Sequence, residues 1–171
     1  SGGSGATTLA ALSAHLLADS ASRVPTLIAE DSETFNARLG TVHPSVLRAA
    51  GDELVDGGRY TAGKATAALA TGWLVLVGAR TAHGMIALND ALGDVSARFG
   101  PTGLERILPV HCASFGPSGP APAPGIISFP FERALAQGGP VPDALPRLRS
   151  RTRRLLQQEW LPIVRDVYAA R

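Results

Sequence analysis

Apolar residues recur at helical spacing between residues 85 and 99, and this stripe constrains the fold more than any other feature. Successive members are three, four, three and four residues apart, which places them on one face of an α-helix. The members are Met85, Leu88, Leu92, Val95 and Phe99. Thr81 can cap this helix, and Gly100-Pro101 would end it. We expect the stripe to be buried as one helix, with its three central side chains nearly inaccessible.

Three further segments favour helices. Leucines recur at helical spacing in Thr7–Asp19. A second helix is expected over 44–57, because a proline suits its first turn and Gly57-Gly58 suits a C-terminal cap. The third is a long helix over 145–170. It should be kinked at Pro162, since proline lacks the backbone N–H that the helix needs.

Two segments are ambiguous in the sequence. Val24–Gly40 favours a helix, with Thr26–Ala29 as an alternative short strand. In that alternative a later helix would be capped by Asp31 or Ser32. Trp73–Val77 is short and rich in β-branched residues, but periodicity does not separate a short buried strand from a buried helix. Because an Ala-rich run precedes it, a helix is slightly preferred over a strand for this segment.

Proline and glycine mark a surface loop at 115–125, where proline blocks both helix and central strand. The segment 1–5 consists of Ser and Gly only, which is typical of a flexible linker or a cloning scar. The sequence therefore predicts an all-α fold. It would be a single helical domain over 6–171 with about six to eight helices, and with 73–77 as the alternative strand.

Composition limits the cellular setting. The chain has one cysteine, so an intrachain disulfide is excluded and nothing requires an oxidising compartment. The net charge of +2 is too small to indicate nucleic acid by itself. No run reaches the roughly 18 apolar residues of a membrane span, and no basic segment precedes the first apolar residues as in a signal peptide. We expect a soluble, cytoplasmic protein without a membrane partner.

His111-Cys112 combines an imidazole with a thiol just before the proline-rich loop. An imidazole can activate a thiol, although adjacent side chains rarely point at each other, so His83, His43 or an acidic residue elsewhere would be a more suitable partner. The hypothesis is a pocket near His83, His111 and Cys112. The four histidines lack the spacing of metal ligands, so no metal site and no cofactor is predicted.

Gly58–Ala65 is close to a phosphate-binding P-loop. The motif requires Ser or Thr after its lysine to hold the magnesium ion, and Ala65 follows Lys64 instead. The motif should also follow a strand, whereas 44–57 favours a helix. We predict that this loop does not bind nucleotide phosphate.

The expected C-terminal helix carries an apolar face with a tryptophan, a residue enriched among interface anchors. We predict that this face contacts a second copy of the chain through Leu156, Trp160 and Val164. Arginines at i, i+4 and i+7 form a ridge on the same helix, suited to phosphates or an acidic partner. They are Arg147, Arg151 and Arg154.

Three function classes follow, in order of preference. The first is a non-catalytic helical module that self-associates or binds a protein partner. The second is a small enzyme or ligand-binding protein with its pocket near His83, His111 and Cys112. The third is nucleic-acid binding through the ridge Arg147–Arg154. Thiol reactivity separates the first two, and a steep dependence of affinity on salt marks the third.

Overall fold

The computed structural model describes residues 5–20, 23–40, 47–117 and 119–169, and it mixes helices with parallel sheets. The α-helices are α1 (Ala6–Ser20), α2 (Ser32–Leu39), α3 (Ala62–Thr71), α4 (Ala82–Leu104), α5 (Arg133–Ala136), α6 (Val141–Ala144), α7 (Ser150–Leu155) and α8 (Leu161–Ala169). The strands are β1 (Arg23–Ala29), β2 (Leu47–Asp56), β3 (Leu74–Ala79), β4 (Ile107–Cys112) and β5 (Ile127–Phe129). The all-α prediction is therefore wrong.

Contacts divide the chain into two compact units. Unit 1 comprises Gly5 and the continuous segment 59–131, and unit 2 comprises the segments 6–58 and 132–169. A single domain over 6–171 stays a prediction beside this division.

Unit 1 is built on a three-stranded parallel sheet in the order β3-β4-β5. Because parallel neighbours need a crossover, α4 connects β3 to β4. The next crossover, from β4 to β5, runs through the proline-rich segment 113–126, whose described residues form no helix. Helices α3 and α4 supply the core with β3 and β4. Its buried members are Ala65, Leu69, Leu76, Leu88, Ala91, Val95 and Ile107.

Unit 2 contains a parallel pair of strands, β1 and β2, which α2 connects. Helix α1 contacts both strands as well as α2 and α8. Hydrogen bonds join the C-terminal segment to the N-terminal one. Among them are those from the Trp160 indole to the Ser13 hydroxyl at 2.9 Å, from Arg165 to the Ser20 carbonyl at 3.2 Å, and from the Tyr168 hydroxyl to the Glu53 carbonyl at 3.1 Å. Residues far apart in sequence therefore complete one core.

Arg38 connects three parts of unit 2 without an acidic partner among its hydrogen bonds in the described part of the chain. Its guanidinium donates to the Thr8 hydroxyl at 2.6 Å and to the carbonyls of Leu135 at 2.8 Å and Gly139 at 3.0 Å. Burial lowers the pKa of Arg38. The side chain therefore serves as a donor that satisfies loop carbonyls.

Two segments of unit 2 that were expected to be helical contain strands. In the segment 24–40 the alternative reading is the right one: β1 is followed by α2, and the Asp31 carboxylate accepts from the Thr34 amide at 3.0 Å as the helix cap. The helix predicted over 44–57 is wrong for 47–56, which forms β2; residues 41–46 lie outside the described part. Pairing with β1 outweighs the helical preference of a Leu- and Ala-rich segment.

The helix slightly preferred for 73–77 is wrong and the alternative strand is right, since β3 covers 74–79 and pairs with β4. The helix over the stripe 85–99 is confirmed as α4, which has a non-helical break at Gly100. Leu88 and Val95 are buried, but Leu92 is only partly buried. The prediction of three inaccessible side chains is therefore right for two.

The single helix expected over 145–170 is wrong. Residues 145–147 form a separate 3₁₀ turn, Leu148 is extended, α7 begins at Ser150, and 156–160 are π-helical. The π-turn precedes Pro162, and wider hydrogen bonding there avoids the clash that proline would make in an α-helix. Among the described helices, none has both the length and the apolar character to cross a membrane.

Candidate functional site

Arg80 and His111 come together where β3 and β4 end. The strands are in parallel register with Gly78 opposite His111, and the Arg80 amide donates to the Cys112 carbonyl at 2.8 Å. Side chains alternate along a strand, so Gly78, Arg80 and His111 share one face of the sheet. In open α/β sheets, ligands bind at the carboxyl ends of the strands, and these residues lie there.

Two glycines bring the first turn of α4 against the end of β3. A Cβ at Gly78 would lie 3.0 Å from the Gly84 carbonyl oxygen and 3.4 Å from Cδ2 of His111. A Cβ at Gly84 would overlap the carbonyl of Ala79. The start of the helix, the strand end and the imidazole therefore pack together only because neither glycine has a side chain.

The His111 side chain is 1% exposed, and neither ring nitrogen has a hydrogen-bond partner among the described residues. Burial lowers its pKa, and the nearby Arg80 cation lowers it further. The ring is therefore neutral at pH 7, with one N–H donor and one acceptor nitrogen. Leaving a buried polar group unpaired costs about 1–3 kcal/mol, so a partner for this ring would add stability.

Arg80 is covered by the loop that follows β4. Its Nη2 donates to the Pro117 carbonyl at 2.5 Å. Gly119 packs so closely on Arg80 that an added Cβ would overlap the Arg80 carbonyl and lie 3.3 Å from Nε. Nε is buried and has no partner in the described part of the chain. The positively charged guanidinium therefore has one N–H, on Nε, without an acceptor among the described residues.

The start of α4 adds to the positive potential at this edge. Thr81 caps the helix: its hydroxyl accepts from the Gly84 amide at 3.0 Å, and its carbonyl accepts from Met85 at 2.9 Å. The amides of Ala82 and His83 belong to the first turn and have no acceptor within the helix. The helix dipole places partial positive charge there, which favours an anion.

The structure brings two of the three predicted pocket residues to the same edge. His83 is exposed in the first turn of α4, and His111 is buried in β4. Cys112 follows His111 in the strand and so points to the opposite face, where its Sγ lies near Gly5 and Ser114. Burial raises the pKa of Cys112 to about 12, so the thiol is protonated and the geometry disfavours a nucleophile.

The predicted interface residues are in the core of the chain. Trp160 is 1% exposed, Leu156 is 2% exposed and Val164 is 7% exposed. The Trp160 indole is held by Ser13 of the same chain. Contact with a second copy through these side chains stays a prediction, and it would require α8 to separate from α1.

The three predicted ridge arginines are exposed but do not share a helix. Arg147 lies in the 3₁₀ turn, where its Nε donates to the Asp143 carbonyl at 2.9 Å, while Arg151 and Arg154 lie in α7. The extended backbone between the two segments breaks the expected i, i+4, i+7 spacing. Binding of an anion or an acidic partner here stays a prediction.

The P-loop-like segment has a different local structure from the one expected. Because β2 is a strand, the order strand, loop, helix is present, so one of the two arguments against a P-loop does not hold. The other does: Ala65 stands at the magnesium-binding position and is a core residue. The Lys64 ammonium donates to the Arg59 carbonyl at 3.2 Å, and Thr61 caps α3.

Within the described ranges, no three His, Cys, Asp or Glu side chains come close enough to hold a metal ion. Sequence reasoning missed Arg80. The available signal was its position, directly between a strand candidate and the Thr81 cap of the clearest helix. No protein-family model matches the chain, and comparisons with curated proteins and with solved structures also give no match.

Proposed function

We propose that unit 1 binds a small anionic ligand at the carboxyl end of its sheet, through Arg80, His111 and the first turn of α4. The observation that carries the proposal is the buried His111 ring, whose two nitrogens have no partner among the described residues, beside an arginine whose Nε has none there either. This corresponds to the ligand-binding alternative of the sequence analysis, with Arg80 in the central role that Cys112 had there.

The chemistry supports an anion rather than a cation or an apolar ligand. Arg80 supplies a permanent positive charge and a directed N–H donor. The helix start supplies further amide donors and partial positive charge. A neutral imidazole adds one more donor. Burying these donors without a partner costs free energy. An oxyanion that accepts their hydrogen bonds removes this cost, and its bond to the charged guanidinium is stronger than one between neutral groups.

The test measures binding of inorganic phosphate, sulfate and acetate by calorimetry and by thermal unfolding, each against sodium chloride of equal ionic strength. A ligand at ten times its Kd should stabilise the folded state by about 1.4 kcal/mol. Arg80→Met should abolish this stabilisation. The matched control is Arg151→Met, which removes the same charge from an exposed position in unit 2. Equal binding by the wild type and Arg80→Met would refute the proposal.

A second candidate function is self-association, which the sequence favoured. One structural observation supports it. Ile28 and Val55 are paired across β1 and β2 and are 41% and 52% exposed. Parallel strands are usually covered on both faces, so this apolar pair is a candidate contact between copies. Light scattering at about 100 μM, well above typical dissociation constants of specific dimers, tests it. A strict monomer there would exclude it.

The remaining expectations are retained as proposals. Nucleic-acid binding through exposed arginines predicts an affinity that falls steeply with salt. The cytoplasm suits a chain with a single thiol, because its reducing conditions leave Cys112 free. A protein partner other than a second copy would be recognised by co-purification under low salt, followed by loss of the complex in the Ile28→Ser variant.

A further inference from the structure

The loop over Arg80 makes contacts that bear on how a ligand reaches the site. Two loop residues touch the arginine: the Pro117 carbonyl accepts from Nη2, and Gly119 packs on its backbone and beside Nε. The following stretch, 120–125, is exposed. The loop is thus fixed to the rest of unit 1 at Arg80, while the part beyond is in solvent.

Gly119 lies beside the position that an anion would take at Nε of Arg80. The position a Cβ would take at Gly119 is 3.3 Å from Nε, so the glycine itself lies on that side of the guanidinium. An oxyanion oxygen bonded to Nε would sit at about 2.8 Å, with the rest of the ligand beyond it. A ligand bonded to Nε would therefore crowd Gly119, and one that pairs with Nη2 as well would compete with the Pro117 carbonyl.

The two competing interactions differ in strength. The Pro117 carbonyl is a neutral acceptor, whereas an oxyanion pairs with the guanidinium through hydrogen bonds between two charged groups, roughly twice as strong. The prolines of the loop restrict its backbone, so lifting it frees few new conformations and the gain in entropy is small. The balance between closed and lifted states is then set mainly by what Arg80 binds.

We propose that Pro117 and Gly119 form a lid that Arg80 itself holds closed, and that the anionic ligand opens the lid by replacing both residues at the guanidinium. This inference rests on the proposed function for the identity of the opening group. The closing contact, however, can be tested without any ligand. Binding and opening are thereby one event, and the affinity includes the cost of breaking the Arg80–Pro117 hydrogen bond.

Hydrogen exchange of the peptide 113–126 in the full chain tests the lid. Inorganic phosphate at saturation should raise its exchange several-fold over chloride of equal ionic strength. Unchanged or slower exchange with phosphate bound would overturn opening by the ligand. Without any anion, Arg80→Met should raise exchange of the same peptide, because the closing contact is gone. Exchange equal to wild type in that variant would overturn the closing role of Arg80.

A loop variant provides the independent measurement. Gly119→Ala adds a Cβ that would overlap the Arg80 carbonyl, so it should keep the lid lifted while leaving the binding residues in place. Phosphate should bind it about threefold to tenfold more tightly, the value of one lost hydrogen bond converted to affinity. Pro122→Ala, in the exposed stretch, is the control and should bind as wild type does. Equal affinity in Gly119→Ala and wild type would contradict the competition.

The two proposals fail in different ways. If phosphate, sulfate and acetate all fail to bind the wild type, the proposed function is wrong, while the ligand-free exchange of Arg80→Met still decides whether Arg80 closes the lid. If phosphate binds through Arg80 but the exchange of 113–126 stays unchanged, the site is real and the lid is wrong.

Discussion

The indole N–H of Trp160 donates a hydrogen bond to the hydroxyl of Ser13 across 2.9 Å, although the two residues are 147 positions apart in the sequence. The Ser13 hydroxyl in turn donates to the Leu9 carbonyl at 2.8 Å. Both side chains are buried, so the chain of two hydrogen bonds satisfies polar groups that have left water. Trp160 therefore stabilises unit 2 both by its volume and by a directed bond to α1.

This relationship predicts the effect of Trp160→Phe. The variant loses the bond and part of the indole volume, so the free energy of unfolding should fall by about 1–3 kcal/mol. Chemical denaturation of Trp160→Phe, Ser13→Ala and the double variant gives the coupling between the two side chains. The double variant should lose less than the sum of the single losses. Strict additivity would show that the hydrogen bond contributes nothing.

The stripe of α4 predicts unequal effects along one helix. Leu88 is buried, so Leu88→Ala should lower the free energy of unfolding by about 2–5 kcal/mol through loss of burial and the cavity left behind. Leu92 is only partly buried, so Leu92→Ala should cost less. Urea denaturation of the two variants measures the difference. A larger loss for Leu92→Ala would contradict the burial of this face.

Gly78 predicts a steric penalty. A Cβ there would press on the Gly84 carbonyl and on Leu88 at 3.1 Å, so Gly78→Ala should cost about 1–3 kcal/mol of stability. Gly93→Ala is the matched control in α4. Beyond its chain neighbours and the backbone of its own helix, no described atom lies within 4 Å of its added Cβ. Alanine is also the better helix former, so Gly93→Ala should stabilise by about 0.5–1 kcal/mol. Equal effects of the two changes would refute the close approach of α4 to β3.

His111 predicts a loss of stability in mild acid. Its pKa in the folded protein lies below the ordinary 6.5, so as the pH falls below 6.5 the unfolded chain takes up a proton that the folded chain refuses. The loss of stability is absent at pH 7. It grows as the pH falls towards the pKa of His111 in the folded protein, by up to about 1.4 kcal/mol per pH unit. His111→Asn should remove this part of the pH dependence below pH 6.5. An unchanged pH profile would exclude it.

Cys112 predicts slow thiol chemistry. Because burial raises its pKa from 9.0 to about 12, the thiolate is scarce at pH 8. Its reaction with a disulfide reagent should be at least about 100-fold slower in the folded protein than in urea. The same shift predicts a fall in stability as the pH rises above 9, where the unfolded chain ionises first. Equal rates in the folded and unfolded chain would contradict the burial.

The sequence was informative where structure is local. Helix α4 is predictable because its stripe lies within one segment and needs no distant partner to be recognised. Strand β2 is not, because the reason for its extended backbone is the pairing with β1, and its own residues favour a helix. The caps at Asp31 and Thr81 were available from the sequence, and the structure uses both.

The site was only partly predictable for the same reason. His111 could be singled out as a titratable group beside a loop, but its burial depends on Gly78 and on the start of α4. Arg80 gains its role from a register between β3 and β4 and from a loop that returns over it. Neither the strand register nor the loop over Arg80 produces a periodic pattern in the sequence. The prediction therefore relied on side-chain type alone and gave too much weight to Cys112.

The order of segments along the chain has a consequence for synthesis. Unit 1 is continuous from 59 to 131, whereas unit 2 needs both 6–58 and 132–169. On the ribosome, the first half of unit 2 emerges before unit 1, yet it lacks Trp160 and the rest of its C-terminal core until 132–169 has been synthesised. Unit 1 can complete its sheet before then. The middle of the sequence should therefore fold before the two segments that flank it. In chains truncated near residue 140, unit 1 should resist protease while α1 and β1 are still cut.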